Sequence, residues 1–182
     1  MSLFRNSFRV ESARLESWDY SWPGWYLVTI VVQNRACVFG AVEESGVVLS
    51  PLGEAAEACW REMPKHHTGV ELDEYIVMPN HVHGIIILNN VILCRDVQLN
   101  VSTNVSFRSI SPQKGSLSVV VRTFKAAVTT WARRNGHDEF AWQERFYDRI
   151  VRDENDLYRI RKYIRDNPRK WCLDGENPEN VR

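Results

Sequence analysis

Two apolar segments that follow each other almost directly constrain the fold of this chain most. Residues 70–78 (VELDEYIVM) and 81–88 (HVHGIIIL) are rich in β-branched side chains, and only Pro79 and Asn80 separate them. Segments of this composition joined by so short a turn are typical of an antiparallel β-hairpin. We therefore predict an antiparallel sheet that contains this hairpin.

Three further segments have the composition of strands. The sequence predicts strands at 24–34 and 46–50, the second of them paired with residues 37–39. Residues 140–152 (FAWQERFYDRIVR) are aromatic and basic, and they indicate a short strand or an extended segment.

Three helices complete the predicted elements. The first begins with Ser50 as its cap and Pro51 as its first residue, and we expect Pro64 to end it. A second helix is predicted at 117–134, and a third follows the cap Asp153 and stops before Pro168. Strands and helices in this order predict an α+β fold, in which helices flank a central antiparallel sheet of the ferredoxin-like kind.

The length of 182 residues suits a single domain over 1–182. Residues 89–116 lack any period, so we expect a loop insertion there, and we expect a frayed polar tail at 173–182. No apolar run approaches the ~20 residues of a membrane helix. The four cysteines are scattered and form no CxxC pair, as is typical of reduced thiols. We expect a cytoplasmic protein with no membrane partner.

Charge is distributed unevenly although the formal net charge is zero. Residues 1–90 contain 6 Lys and Arg against 11 Asp and Glu, whereas residues 91–182 contain 17 against 12. A polyanion would therefore prefer the second half of the chain. A solvated surface of mixed charge explains the same numbers equally well.

His81 and His83 are the polar residues that stand out in the apolar hairpin. Side chains two residues apart share one face of a strand, so both imidazoles point the same way and can bind one divalent cation. Two histidines with purely structural roles at the start of a strand are the alternative.

Residues on the last helix can complete such a site. Tyr163 and Asn167 are four residues apart and lie one turn from each other on the same face. Asn167 is at the helix C-terminus, where the macrodipole favours a cation. Two imidazoles and an amide oxygen suit Mg²⁺ or Mn²⁺.

A cation close to Tyr163 would favour its phenolate and polarise a phosphodiester. The resulting phosphotyrosine retains the bond energy, so rejoining needs no nucleotide cofactor, and the chain has no GxxxxGK[ST] loop. Tyr147 and Tyr158 are competing tyrosines, and Tyr158 lies roughly 140° around the helix from Tyr163. A half-buried structural tyrosine is the other interpretation of Tyr163.

Three strings in this order resemble one known family. The strings YIVMPNHVHGIII, WQERFYDRIVRDENDL and RKYIRDNPRKW are similar to motifs of the REP-associated tyrosine transposases. These belong to the HUH single-strand transposases, which are named for a histidine–hydrophobic–histidine motif. The resemblance covers roughly residues 18–172, with 89–116 as a gap.

The resemblance implies a role for each matching residue. His81 and His83 match the paired metal histidines, and Asn167 matches the third metal position. Tyr163 matches the tyrosine that attacks DNA and becomes linked to its 5′ phosphate. The family fold is a central antiparallel sheet flanked by helices. The implied cofactor is Mg²⁺ or Mn²⁺, and the implied partner is single-stranded DNA with small REP-like hairpins. Superfamily members occur as dimers and as single chains, so a homodimer stays open.

Basic residues next to aromatic ones are the candidates for DNA contacts, because single strands combine phosphate contacts with base stacking. A basic face of the second predicted helix and the strip 140–152 provide them: Arg122, Lys125, Arg133, Trp142, Arg145, Arg149 and Arg152. A solvated basic surface is the alternative for each of them.

Three other functions compete with a strand-transferring enzyme. A domesticated hairpin-DNA-binding protein would keep the fold without the cleavage, and an HUH nickase would share the chemistry without transposition. A metallohydrolase also uses H-x-H, but residues 84–86 (GII) lack the acidic or histidine continuation of the H-x-H-x-D-H type.

Overall fold

The computed structural model describes residues 20–44, 46–89 and 115–180, together with the strand residues 3–4 and 7–8. The strands within these residues are β1 (Leu3–Phe4), β2 (Ser7–Phe8), β3 (Gly24–Val31), β4 (Gly40–Glu43), β5 (Gly46–Leu49), β6 (Val70–Met78), β7 (His81–Leu88) and β8 (Tyr147–Ile150). The α-helices are α1 (Pro51–His66), α2 (Leu117–Arg134) and α3 (Glu154–Asp166).

A four-stranded sheet with the order β6–β7–β3–β8 forms the centre of the fold. Each neighbouring pair in it is antiparallel, and β6 and β7 form the hairpin that the sequence predicted. Strands β4 and β5 make a separate hairpin, and β1 pairs with β2. With helices on both faces of the sheet, the predicted α+β fold is confirmed.

One face of the sheet packs against α1 and α2. Val82 and Ile86 of β7 point to this face, because side chains alternate along a strand, and they join one buried cluster with both helices. Trp60 of α1 is fully buried in this cluster and contacts Phe124 of α2 edge-on, with ring centroids 5.3 Å apart. Each buried side chain of this size contributes about 1.5–3 kcal/mol.

The opposite face of the sheet carries α3. Ile85 and Ile87 of β7 point to this side and pack against Ile160 and Ile164 of the helix in a second buried cluster. The two faces of β7 therefore serve different helices. The residues of β7 that precede Ile85 on the α3 face are the two histidines.

Both predicted helix caps are present. The Ser50 side chain accepts a hydrogen bond from the Gly53 N–H over 3.1 Å at the start of α1. The Asp153 side chain accepts one from the Asp156 N–H over 2.8 Å at the start of α3. A side-chain oxygen at this position satisfies one of the free N–H groups of the first turn, which fixes where each helix begins.

Three predicted details are wrong. The first strand ends at Val31 rather than at residue 34, because Asn34 and Arg35 have positive φ angles of 56° and 54°. Strand β5 pairs with 40–43 and not with 37–39. Helix α1 continues past Pro64 to His66, because a proline in the last turn removes one hydrogen bond without preventing two further helical residues.

The expected frayed tail at 173–182 is also wrong as far as residue 180. Glu176 forms an ion pair with Arg35 over 2.9 Å, and Asn177 is buried. The tail is thus packed onto the turn that follows β3. Of the expected insertion at 89–116, residues 90–114 lie outside the described residues. None of the helices in the described part of the chain combines the length and apolarity of a membrane span.

Candidate functional site

The hairpin places His81 and His83 side by side at the start of β7. Both side chains are buried, with 0% and 3% of their surface exposed, and their ring centroids are 4.4 Å apart. They point to the α3 face of the sheet, as the two-residue spacing predicted. A buried ring nitrogen without a hydrogen-bond partner or a bound metal destabilises the fold, so each nitrogen of these rings needs a partner.

Asn80 determines which nitrogen of His81 carries the proton. The Asn80 amide nitrogen donates to the backbone oxygens of Arg35 and Glu176, which points its Oδ1 at Nδ1 of His81, 2.8 Å away. Since Oδ1 can only accept, Nδ1 is protonated and Nε2 keeps its lone pair. That Nε2 is buried and has no hydrogen-bond partner. This nitrogen is therefore available as a ligand atom.

His83 connects the sheet to the last helix. Its Nδ1 lies 2.8 Å from Oγ1 of Thr29 on β3, and its Nε2 lies 3.1 Å from the hydroxyl of Tyr163 on α3. Both partners are hydroxyls, which can donate or accept. In the tautomer that could bind a metal through Nε2, Nδ1 donates to Thr29 and Nε2 accepts from the phenol. Tyr163 and His83 thus lie in contact within one chain.

Asp174 is the acidic member of the site. Its Oδ2 lies 4.0 Å from Nε2 of His81, and its Oδ1 accepts from the Glu176 N–H over 2.7 Å. One ligand atom from each of His81, His83 and Asp174 falls within 4.8 Å of the others, so this group could hold a metal ion. Two imidazoles and a carboxylate are ligands for divalent cations such as Mn²⁺, and the orphaned Nε2 fits that use.

Asn167 lies at the C-terminus of α3, where the sequence predicted a third ligand. Its side chain is buried and its Oδ1 has no hydrogen-bond partner. Burial and the negative charge of Asp174 raise the pKa of Tyr163. A hydrogen bond from the Asn167 side chain opposes this shift without reversing it. The phenol is therefore protonated at neutral pH in the metal-free site.

Burial keeps both imidazoles neutral. It lowers the pKa of His83 to about 4, against the opposing effect of Asp174. The pKa of His81 is lowered well below its ordinary value by burial and by repulsion from the protonated form of His83. Neutral rings present lone pairs at neutral pH, which is the form that binds metals. The site can thus accept a cation without first losing protons from these rings.

The predicted basic face of α2 lies on the other side of the sheet. Helix α2 packs on the face opposite α3, so Arg122, Lys125 and Arg133 are separated from Tyr163 by the sheet. Arg122 and Arg133 are exposed. The Lys125 ammonium donates to the backbone oxygens of Gln143 and Arg145, and burial lowers its pKa to about 8. Its contacts are those of a side chain that holds the 143–145 segment.

The residues of the strip 140–152 lie in two different environments, the core and the surface. Trp142 packs against Phe39, Phe124 and Phe140, and its indole N–H donates to the Lys125 carbonyl over 3.1 Å. The Trp142 ring is thus packed in the hydrophobic core.

The basic residues of the same strip lie at the surface. Arg145 and Arg152 are exposed. Arg149 is largely exposed and forms an ion pair with Asp156 of α3. A DNA contact by any of the seven basic or aromatic candidates stays a prediction.

Sequence reasoning did not find Thr29, Asn80 or Asp174. Thr29 and Asn80 hold the rings of the histidines, and no local pattern distinguishes them from other polar residues of strands and turns. The partial signal for Asp174 is its position a few residues after the last helix, within the segment that was expected to be frayed.

The fold is similar to one of known structure. The structure of a REP-associated tyrosine transposase bound to a REP hairpin superposes with a TM-score of 0.56 and 17% sequence identity, over 88% of this chain and 76% of that chain. This likeness gives the fold that the three sequence strings predicted. No protein-family profile matches the chain.

One other protein has a higher sequence identity to this chain than the transposase of known structure. An uncharacterised protein of Haemophilus influenzae is 36% identical over 167 residues, which is 90% of each chain. This chain belongs to the same family as the Haemophilus protein. Members of this family therefore share the fold of the REP-associated tyrosine transposase, with an antiparallel sheet between helices on both faces.

Proposed function

We propose that the protein is a tyrosine transposase that cleaves and rejoins single-stranded DNA through a 5′-phosphotyrosine intermediate. The observation that carries this proposal is the contact of the Tyr163 hydroxyl with Nε2 of His83, over 3.1 Å, beside a second imidazole whose Nε2 is buried and unpartnered. A nucleophile next to unshared metal-binding lone pairs is the arrangement that phosphodiester cleavage by a tyrosine requires.

The residues of the site would have different roles. His81, His83 and Asp174 would hold a divalent cation, and Asn167 offers a further oxygen through its unpartnered Oδ1. When bound, Mg²⁺ or Mn²⁺ supplies Lewis-acid polarisation of the scissile phosphate and favours the phenolate. Because Nε2 of His83 has one lone pair, it can serve Tyr163 or a cation but not both. Tyr163 gives up this hydrogen bond when it turns to the substrate.

The chemical step balances without a cofactor that stores energy. The Tyr163 oxygen forms a bond to phosphorus and its proton leaves, while the bond from phosphorus to the 3′ oxygen breaks and that oxygen gains a proton. The product is a phosphotyrosine on the 5′ end and a free 3′ hydroxyl. Attack of a 3′ hydroxyl on the phosphotyrosine reverses these bonds and rejoins the strand.

Formation of a covalent adduct tests the proposal. Purified protein is incubated with Mn²⁺ and a pool of labelled single strands that carry a hairpin with randomised flanks, and the adduct is detected on a denaturing gel. We expect Tyr163→Phe to abolish the adduct, because it removes the attacking oxygen. Tyr158→Phe is the matched control, since Tyr158 is 67% exposed on the same helix.

Two outcomes contradict the proposal. An adduct that persists in Tyr163→Phe assigns the chemistry to another residue. Tight binding of the hairpin pool by the wild-type protein, with no adduct in either Mg²⁺ or Mn²⁺, instead indicates a hairpin-DNA-binding protein that keeps the fold.

A further inference from the structure

A row of four residues crosses the sheet at the level of the site. Ile76 pairs with His83, His83 pairs with Thr29, and Thr29 pairs with Tyr147 of the edge strand β8. Paired residues of neighbouring strands point to the same face, so Tyr147 shares the α3 face with His83. Two strand spacings separate them, which places their Cα atoms roughly 10 Å apart.

The Tyr147 ring is exposed beside this site. Half of its surface, 51%, is accessible. Among the described residues it makes no hydrogen bond and no ring contact. Trp142, five residues earlier, is instead packed into the core. Tyr147 is thus the aromatic side chain of the 140–152 strip that presents an open face next to the nucleophile.

One flank of α3 faces β8. Asp156 of α3 pairs with Arg149 of β8, so the helix flank that carries Asp156 lies toward the edge strand. Arg159 and Tyr163 follow Asp156 by three and seven residues, which keeps them on that flank. Arg159 is exposed and makes no ion pair with the described residues. A cation and the attacking tyrosine therefore line the same side of the helix.

The opposite flank of α3 is occupied. Arg161 pairs with Asp73, and Arg165 pairs with Glu74 over 3.3 Å, both toward strand β6. The flank of α3 that carries Arg159 and Tyr163 is therefore the one that lies toward β8. Arg159 on the helix and Tyr147 on the strand thus border the same side of Tyr163.

We propose that Tyr147 is a stacking platform for an unpaired base of the DNA strand next to the phosphate that Tyr163 attacks, and that Arg159 binds a neighbouring phosphate. This inference rests on the proposed function and names how that site holds its substrate. An exposed aromatic ring with a nearby cation is the combination that binds single strands, because every base has a stacking face. Roughly 10 Å corresponds to a few nucleotides at about 3.4 Å per stacked step.

Fluorescence of 2-aminopurine tests the stacking. The probe base is moved one position at a time through a single-stranded oligonucleotide that the wild-type protein cleaves, or failing that one that it binds, and the Tyr163→Phe protein keeps the DNA uncut. We expect quenching at a position close to the cleaved bond, which Tyr147→Ala abolishes and Tyr147→Trp retains. Affinity should fall about 5- to 100-fold in Tyr147→Ala. Tyr158→Ala is the control and should change neither quantity.

Salt dependence tests the arginine. Arg159→Ala should reduce the slope of log affinity against log salt by about 0.7, the amount expected for one phosphate contact on a single strand. Arg159→Lys should keep the slope, because the charge remains. Lys162→Ala, an exposed cation on the outer side of α3, is the matched control and should leave the slope unchanged.

Adduct kinetics separate the failure of this inference from that of the proposed function. Tyr147→Ala should raise the KM for DNA and leave the rate at saturating DNA within about threefold, since stacking acts in the ground and transition states alike. A wild-type adduct combined with unchanged quenching and affinity in Tyr147→Ala overturns the stacking site alone. Quenching that depends on Tyr147, with no adduct from any protein, supports the stacking site and contradicts the transposase. If kcat falls in Tyr147→Ala while KM is unchanged, Tyr147 has a structural role and the inference is overturned.

Discussion

Gly84 of β7 lies directly against Trp60 of α1, and replacing it with alanine should destabilise the protein. A Cβ at this position would lie 2.2 Å from Cζ2 and 2.8 Å from Cη2 of Trp60. Carbon atoms in contact are normally about 3.5–4.0 Å apart, so the strand or the indole must move by more than 1 Å, to judge from that difference. Trp60 is fully buried against Phe124, which prevents an easy retreat of the ring.

The expected loss is at the upper end of the usual cost of overpacking, about 3 kcal/mol. For a chain of this length, a loss of about 3 kcal/mol lowers the melting temperature by roughly 6–12 °C. Urea unfolding and calorimetry of Gly84→Ala measure both quantities. Gly175→Ala is the control, because a Cβ there meets no atom within 4 Å.

A double mutant identifies the indole as the cause. Gly84→Ala combined with Trp60→Phe should lose less than the sum of the two single variants, by about 1–2 kcal/mol, because the smaller ring vacates the space. Additive losses would show that the strand itself, and not Trp60, resists the added methyl group. A Gly84→Ala protein within about 0.5 kcal/mol of wild type would refute the reasoning altogether.

Four further predictions concern the site. Thr29→Val removes the hydroxyl that pairs with Nδ1 of His83 and should weaken Mn²⁺ binding about 10- to 100-fold in titration calorimetry; unchanged affinity would exclude this orienting role. Burial lowers the pKa of His83 from 6.5 to about 4, so the unfolded chain takes up the proton first as pH falls. The free energy of unfolding of the metal-free protein should therefore drop between pH 6.5 and 4, by about 3 kcal/mol from this residue, and His83→Gln should flatten the slope between pH 6.5 and 5. Because one chain brings Tyr163 and His83 together, a mixture of Tyr163→Phe and His83→Ala proteins should not form the DNA adduct, and restored adduct would indicate sites shared between chains. A double-mutant cycle on Arg161 and Asp73 should give a coupling of no more than about 1 kcal/mol in unfolding experiments, since 36% of the arginine side chain is exposed to solvent.

The parts of the fold that sequence could predict are those with local patterns. The hairpin around Pro79 and Asn80, the caps of two helices and the limits of α2 follow from composition and periodicity over a few neighbouring residues. The shared face of His81 and His83 follows from the same two-residue period of a strand. Helix spacing offered Tyr163 as a candidate partner for these histidines, but the resemblance was needed to choose it over the competing tyrosines, because 80 positions separate Tyr163 from His83.

The parts that could not be predicted depend on contacts between distant segments. The tail was expected to fray because it is polar, yet Glu176 pairs with Arg35 and its carbonyl accepts from Asn80. Those two contacts bring the preceding Asp174 to His81. Polar side chains in a loop carry no periodic signal, so neither their order nor their partners can be inferred from spacing. The same holds for Tyr147, whose strand of four residues is too short for alternation to indicate its exposed side.

Strand β7 explains why histidines occur in an apolar run. All eight of its residues are buried, since one face of the strand supports α1 and α2 and the other supports α3. Helix α3 covers the α3 face at Ile85 and Ile87 but leaves the end at the hairpin turn to His81 and His83, which Asn80 and Thr29 satisfy with hydrogen bonds. Ile85 and Ile87, which pack against the helix, and His83, whose ring contacts Tyr163 of the same helix, thus follow each other on one face of the strand. A shift of α3 by one turn along the strand would break both sets of contacts together, so the packing of the helix also sets the position of Tyr163.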